Sequence, residues 1–263
     1  MPDTPAPNQH PKPFVSETLG SKSLYFSCSA VQSSMNLMQP DALVLEYTQT
    51  MMGFLMIKPK PQHIGMIGLG GGSIAKFCHR YLPKTNMTVV EINPHVIALR
   101  DQFFIPSNGH RFAVIEGDGA DFVRDAQQRY DILIMDGFGV DGIPTPLCSQ
   151  QFYNDCHAAL PPGGVFIANL HTEDTDYDTY LARISQSFGP SILVVEEPES
   201  AQSTVFASKG PLPIAPKRGQ TLRPAKLPDA AWHQLEAAFA NFAQAWRKGL
   251  YKNETSPTST ASK

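Results

Sequence analysis

HIGMIGLGGGSIAKFCHRYL, residues 63–82, decides the fold. A short apolar run stops at Gly68-Leu69-Gly70-Gly71-Gly72, and an amphipathic segment begins at once from Ser73. A strand that ends in glycines and resumes as a helix lets backbone approach a ligand closely, with the helix N-terminus directed at it. A plain tight turn would use the same residues, so the neighbouring sequence must discriminate. It does so by repetition. MTVVEI (87–92) is a second apolar run, and Asn93-Pro94 supplies an N-cap and a first-turn proline for a helix through Phe104. FAVIEG (112–117) precedes helical ADFVRDAQ (120–127), and YDILIMD (130–136) leads through a long loop to a helix over 149–160. VFIANL (165–170), a helix over 175–189 and a late pair of strands, SILVVEE (191–197) and STVFASK (203–209), complete the series. The late pair reads as an antiparallel hairpin. Apolar strands alternating with helices predict an α/β fold built on a doubly wound parallel sheet.

The flanks read differently. Residues 1–20 carry five prolines and few apolar side chains, which predicts a disordered tail. Residues 21–60 read as a small N-terminal β unit and a helix. Leu24, Phe26 and Cys28 alternate with polar neighbours, and Asp41 is placed to cap a helix through 42–57 that Pro59 and Pro61 close. The nucleoside-binding domain then spans 61–210. Residues 211–252 hold a proline-rich connector with Lys217, Arg218, Arg223 and Lys226, followed by a helix. The connector either crosses the surface or contacts anionic ligands. In the helix Trp232, Leu235, Phe239, Phe242, Trp246 and Leu250 recur at three- and four-residue steps. That stripe is expected to pack on the chain's own core, with a homodimer contact as its other use. The polar 253–263 segment is expected to be a disordered tail.

Composition excludes several classes. A net charge of −3 on 263 residues argues against nucleic-acid binding by bulk electrostatics. No run of eighteen apolar residues and no signal-peptide pattern is present, so no membrane partner and a cytoplasmic location are expected. The four cysteines show no C-x-x-C spacing, and neither disulfides nor a metal site is expected.

Candidate chemistry gathers at the strand ends. Glu91 closes the second strand, 23 positions after Gly68, where a carboxylate can accept from both ribose hydroxyls. Dinucleotide sites favour G-x-G-x-x-G/A; here the last position is Ser73, and Gly68, Gly70 and Gly72 suit a nucleoside without a pyrophosphate. Asp118, beside Gly119, can accept from an adenine amine or simply cap the next helix. Asp136 ends the fourth strand at the mouth of the sheet. Asp141 either binds a second amine or caps a turn, and Glu196, Glu197 and Glu199 read as a solvated acidic run.

MIGLGGGSIAKF, VVEIN, EGDGADFV and YDILIMDGFGVDGIPTPLCSQQFY resemble the polyamine aminopropyltransferases, the spermidine synthase family, from about Val31 to Lys209. The resemblance implies a Rossmann-like fold of the S-adenosylmethionine-dependent methyltransferase type behind a small N-terminal β unit. It implies decarboxylated S-adenosylmethionine as co-substrate and a small-molecule amine as acceptor. Glu91 would hold the ribose, Asp118 would read the adenine, and Asp136 would deprotonate the amine. Gln32 and Tyr47 would correspond to substrate-binding residues ahead of the cofactor strand. Departures concentrate in the amine half. The family's aspartate in the glycine motif is Gly71 here, and its Asp-Ser-x-Asp-Pro loop is Asp136-Gly137-Phe138-Gly139. A methyltransferase using intact S-adenosylmethionine and a catalytically silent nucleoside binder are the alternatives.

Overall fold

The computed structural model describes residues 10–27, 31–139, 142–197 and 200–249. Its centre is a seven-stranded sheet. The strands are β4 (His63–Ile67), β5 (Asn86–Glu91), β6 (Phe112–Glu116), β7 (Ile132–Met135), β8 (Val165–His171), β9 (Ile192–Glu196) and β10 (Gln202–Ser208). Their order is β6-β5-β4-β7-β8-β10-β9. β4 through β8 pair in parallel, while β10 runs antiparallel to both β8 and β9. The chain therefore winds outward from β4 in one direction and from β7 in the other. A crevice opens where the two directions part, at the carboxyl ends of β4 and β7.

Helices cover both faces. They include α3 (Ser73–Tyr81), α5 (Gly119–Arg124), α6 (Gln150–Ala159) and α7 (Tyr177–Phe188), with a single short turn, α4 (Pro94–Ile97), after β5. The cap anticipated at α4 forms, and α6 carries one as well. Asn93 accepts from the His95 amide with Pro94 in the first turn, and the Ser149 hydroxyl accepts from the Phe152 amide. The helix after Asn93 does not reach Phe104. It gives way to a 3-10 turn over Asp101–Phe103, and Phe104 adopts a left-handed conformation that stops it.

Two N-terminal expectations need correction. Residues 10–20 are not a free tail, because β1 (Phe14–Glu17) pairs antiparallel with β2 (Ser21–Tyr25), which pairs with β3 (Val31–Asn36). Phe14 stacks on Tyr25 with ring centroids 5.2 Å apart. Cross-strand pairing of this kind outweighs a proline-rich composition. Asp41 caps no helix. Its carboxylate pairs with Arg80 at 2.9 Å, and the helical stretch is two short pieces, α1 (Glu46–Met51) and α2 (Phe54–Ile57), parted at Gly53.

That break at Gly53 has a packing reason. The final helix, α8 (Asp229–Lys248), buries Leu235, Phe239, Phe242, Ala243 and Trp246 against α1 and the β9–β10 edge, so the stripe packs within the chain. A Cβ on Gly53 would sit 2.6 Å from the Phe242 ring. Phe242 also meets Phe206 of β10 edge-on at 4.8 Å, joining helix, hairpin and sheet. Leu250, at the end of the stripe, lies outside the described residues, as do residues 1–9 and 253–263. Phe242→Ala is expected to destabilise the chain by about 3–5 kcal/mol, the usual range for deleting a buried ring. A urea midpoint unchanged from wild type would show that α8 adds nothing to the core.

Candidate functional site

The crevice is a cavity of about 750 Å3, and the glycine loop forms its floor. Gly68, Gly70 and Gly72 have φ of +92°, +52° and +69°, a region that favours glycine. The approach at Gly68 is the tightest: a Cβ there would lie 2.3 Å from the Asp136 carbonyl oxygen. Gly119, with ordinary φ, is held small by Ile67, whose Cγ2 would lie 2.5 Å from an added Cβ.

Glu91 does more than end β5. One carboxylate oxygen accepts from the Leu69 amide at 2.9 Å and the other from the Asn93 amide at 2.8 Å, so it clamps the glycine loop to the start of α4. It is 9% exposed and lines the cavity. Burial raises its pKa, and the backbone bonds from Asn93 and Leu69 oppose that rise. Asp118 caps α5, its Oδ1 accepting from the Ala120 amide at 2.6 Å and the Asp121 amide at 3.3 Å. The capping alternative is therefore realised, while the same residue also lines the cavity wall.

Asp136 is the most tightly surrounded acid. Tyr47 donates its hydroxyl to Oδ2 at 3.2 Å, and Asn169 of β8 donates its amide to Oδ1 at 3.2 Å. Burial raises the Asp136 pKa to about 6, and these two hydrogen bonds hold it down against that effect. Tyr47 is itself pushed well above its ordinary value by burial and by the adjacent carboxylate. Gln32 of β3 also lines the cavity, together with its neighbours Val31 and Ser33. Asp141 lies outside the described residues.

Several contributors carried no signal in the sequence. Asn169 sits in an apolar strand and reads as an interruption of it. His10 and Pro11 line the cavity beside Glu91 and Asn93, and the Pro11 carbonyl accepts from the Asn93 side chain at 2.8 Å. Glu197 is buried rather than solvated; its Oε2 accepts from the Ser200 hydroxyl at 3.0 Å, and it does not line the cavity. Glu196 has the exposed position expected of it, and Glu199 is outside the described residues. The connector's Arg223 pairs with Asp229 at 2.6 Å and binds the Leu227 carbonyl, tying the connector to the start of α8.

A parallel sheet with an antiparallel strand inserted near one edge, a glycine cradle and acids at successive strand ends define the S-adenosylmethionine-dependent methyltransferase type of fold. A family model, the spermine/spermidine synthase domain, matches residues 44–200. The chain is 38% identical over 205 residues to a polyamine aminopropyltransferase of Neisseria meningitidis serogroup A, covering 77% of this chain and 78% of that one. A probable spermidine synthase from Corynebacterium glutamicum superposes with a TM-score of 0.69 at 18% identity, covering 93% and 94% of the two chains. Human Methyltransferase-like protein 13 in complex with SAH superposes at 0.57 and 24% identity, covering 82% of this chain and 98% of that one. The chain belongs to the spermine/spermidine synthase family and is a transferase. The resemblance carried by the glycine, Glu91, Asp118 and Asp136 segments is borne out. Among the described residues no helix is long and apolar enough to cross a membrane.

The clamp formed by Glu91 yields a direct expectation. Glu91→Ala leaves the Leu69 and Asn93 amides without their acceptors and should lower stability by about 1–3 kcal/mol in urea denaturation. The same variant should bind methylthioadenosine about tenfold more weakly, equivalent to roughly 1.4 kcal/mol. An unchanged midpoint together with unchanged affinity would remove Glu91 from both roles.

Proposed function

We propose that the chain moves an aminopropyl group from decarboxylated S-adenosylmethionine to an aliphatic amine, with Asp136 as general base. The observation that carries this reading is the position of Asp136. It is buried at the end of β7, bonded by Tyr47 and Asn169, in the same cavity as the glycine cradle, Glu91 and Asp118. Fit to the nucleoside rests on the chain's own geometry. Gly68 and Gly70 add no side chain of their own at the cavity, and Glu91 and Asp118 supply acceptors for the ribose hydroxyls and the adenine amine. The wall offers carboxylates and no lysine or arginine among the described residues, which suits two cationic reactants.

The chemistry follows from charge. An alkylammonium has no lone pair for attack, so it must first lose a proton to a carboxylate. Asp136, with a pKa of about 6, is mostly ionised near neutrality and still basic enough to share that proton. The nitrogen lone pair then forms the new bond to the carbon beside sulfur. The carbon–sulfur pair goes to sulfur, and the neutral thioether departs as methylthioadenosine. Tyr47 and Asn169 hold the carboxylate in one orientation, so the base is aligned before the amine arrives. Gln32 and Tyr47 border the acceptor side of the cavity. The glycine at position 71 removes one of the reasons for preferring a decarboxylated donor, and an aspartate there would have to displace its neighbours: an added Cβ would lie 2.6 Å from the Ser33 hydroxyl and 2.9 Å from the buried Phe103 ring.

Side-by-side calorimetry with S-adenosylmethionine, its decarboxylated form and methylthioadenosine tests the donor. Tighter binding of the decarboxylated form, with release of methylthioadenosine on adding an amine, is the expected result. Tighter binding of the intact donor with methyl transfer would overturn it. Asp136→Asn should reduce turnover by at least about a hundredfold, the lower range for a lost general base, and leave methylthioadenosine affinity within about twofold. Turnover near wild type would take Asp136 out of the mechanism.

A pH profile supplies an independent check. Asp136 works ionised, so kcat/KM should fall as pH drops through about 6. Asn169 lowers the Asp136 pKa through its hydrogen bond, and Asn169→Ala should move that acid limb to higher pH. An acid limb at the wild-type position in Asn169→Ala would contradict the assignment.

A further inference from the structure

The connector that leads to α8 folds into a turn over residues 217–220. The Gln220 amide donates to the Lys217 carbonyl at 3.1 Å, the Gln220 side-chain oxygen accepts from the Lys217 amide at 3.0 Å, and Gly219 takes φ of +78°. This turn faces the end of α8 across a cavity of about 550 Å3. Lys217 and Arg218 enter its wall from the connector, Arg247 and Lys248 from α8, and Leu222 and Ala240 supply its apolar part. Arg247 also fastens the two segments together, its guanidinium donating to the Pro216 carbonyl at 3.2 Å. The cavity shares no residue with the crevice.

Its charge is one-sided. Four cationic side chains line it and no carboxylate does. All four are exposed, and among the described residues none of them pairs with an acid. The connector's Arg223, by contrast, is taken up by Asp229. Basic residues in the last turn of a helix complement its carbonyl dipole, which accounts for Arg247 and Lys248. It does not account for Lys217 and Arg218, which a separate segment brings to the same concavity. The chain as a whole carries a net charge of −3, so this concentration runs against its average. Like charges around one cleft repel one another, and a bound anion relieves that repulsion.

We infer that the cleft between the connector and the end of α8 is a binding site for a small oligophosphate, its phosphate chain held between Lys217 and Arg218 on one side and Arg247 and Lys248 on the other. Two guanidinium groups offer forked donors that match phosphate oxygens, and two ammonium groups add compact charges. A single phosphate engages only part of such a set, whereas a chain of phosphates reaches both walls. The volume suits a small molecule. A nucleic-acid backbone would instead call for an extended basic groove with aromatic stacking surfaces, and no aromatic residue lines this cleft. The inference stands apart from the reaction at the crevice, whose wall has no lysine or arginine among the described residues.

The test is calorimetry on the full chain with inorganic tripolyphosphate in magnesium-free buffer. Wild type should bind it, and raising NaCl from about 50 to about 200 mM should weaken binding at least about fivefold, because the contacts are exposed charges. Arg218→Gln/Lys248→Gln should weaken binding at least about tenfold. Neither side chain makes a hydrogen bond or ion pair among the described residues, so the urea midpoint should stay at the wild-type value. Lys60→Gln/Lys226→Gln removes the same number of charges outside the cavity and should leave affinity within about twofold. ATP distinguishes the source of the phosphates. Equal affinity for ATP and tripolyphosphate assigns the site to the phosphate chain alone. ATP binding at least about threefold more tightly, with the gain lost in Arg218→Gln/Lys248→Gln, assigns it to a nucleoside triphosphate. No binding of tripolyphosphate at millimolar concentration overturns the inference, as does an equal loss in the two double variants. A single-stranded oligouridylate that binds more tightly than either probe, and is lost in Arg218→Gln/Lys248→Gln, gives the cleft to nucleic acid and overturns it too.

Discussion

Everything at the crevice depends on how closely two strand ends pass. The chain leaves β4 at Gly68 directly against the carbonyl of Asp136 at the end of β7, with room for hydrogen only. The Asp136 amide bonds the Ile67 carbonyl, and the Gly68 amide bonds the Val90 carbonyl, each at 2.9 Å. Three neighbouring strands are thereby laced together at the level where the sheet reverses its winding. The glycine loop and the Asp136 carboxylate are consequently parts of one rigid platform. Their separation does not depend on loop conformation, and that is the condition for holding a nucleophile in line with a leaving group.

Around this platform the remaining elements act as walls and braces. Sheet residues Gln32 and Ser33 press over the glycine loop, and His10 and Pro11 line the cavity on the Asn93 side. From below, α8 locks α1 against the hairpin of β9 and β10 through Phe242 and Phe206. That bracing reaches the chemistry through Tyr47, which lies on α1 and bonds Asp136. A helix far along the chain thus helps orient the Asp136 carboxylate, by packing alone. Burial then sets the electrostatics: the same enclosure that raises the Asp136 pKa to about 6 makes its two hydrogen bonds effective in orienting it.

Much of this architecture was readable residue by residue. Apolar runs ending in Gly68, Glu91, Gly117 and Asp136 place strand ends, because period and punctuation are local properties of the chain. Asn93-Pro94 and Ser149 read as helix starts for the same reason, since a cap involves residues two or three apart. The stripe from Trp232 to Trp246 was legible as a buried face, although its partner, the Gly53 break between α1 and α2, was not. Asp41 shows the limit. It has the right residue type at the right distance before an apolar segment, yet Arg80 on α3 offers a charged partner that a local reading has no means to see.

Local pattern thus determined the order of elements, the parallel sheet, the glycine cradle and the family, since each rests on residues within a few positions of one another. Pairing between distant segments decided the rest. Phe14–Glu17 became a strand only because β2 lay beside it. Glu197 became buried only because its strand edge is covered, and Asn169 became part of the site only because β8 neighbours β7. The cavity wall beyond Asp136 is the clearest instance. Asp174 and Glu173 lie nearly forty positions beyond Asp136, and nothing in their immediate sequence distinguishes them from solvated acids. They face the same cavity because strand order in the sheet, a non-local property of packing and hydrogen bonding, sets β8 next to β7.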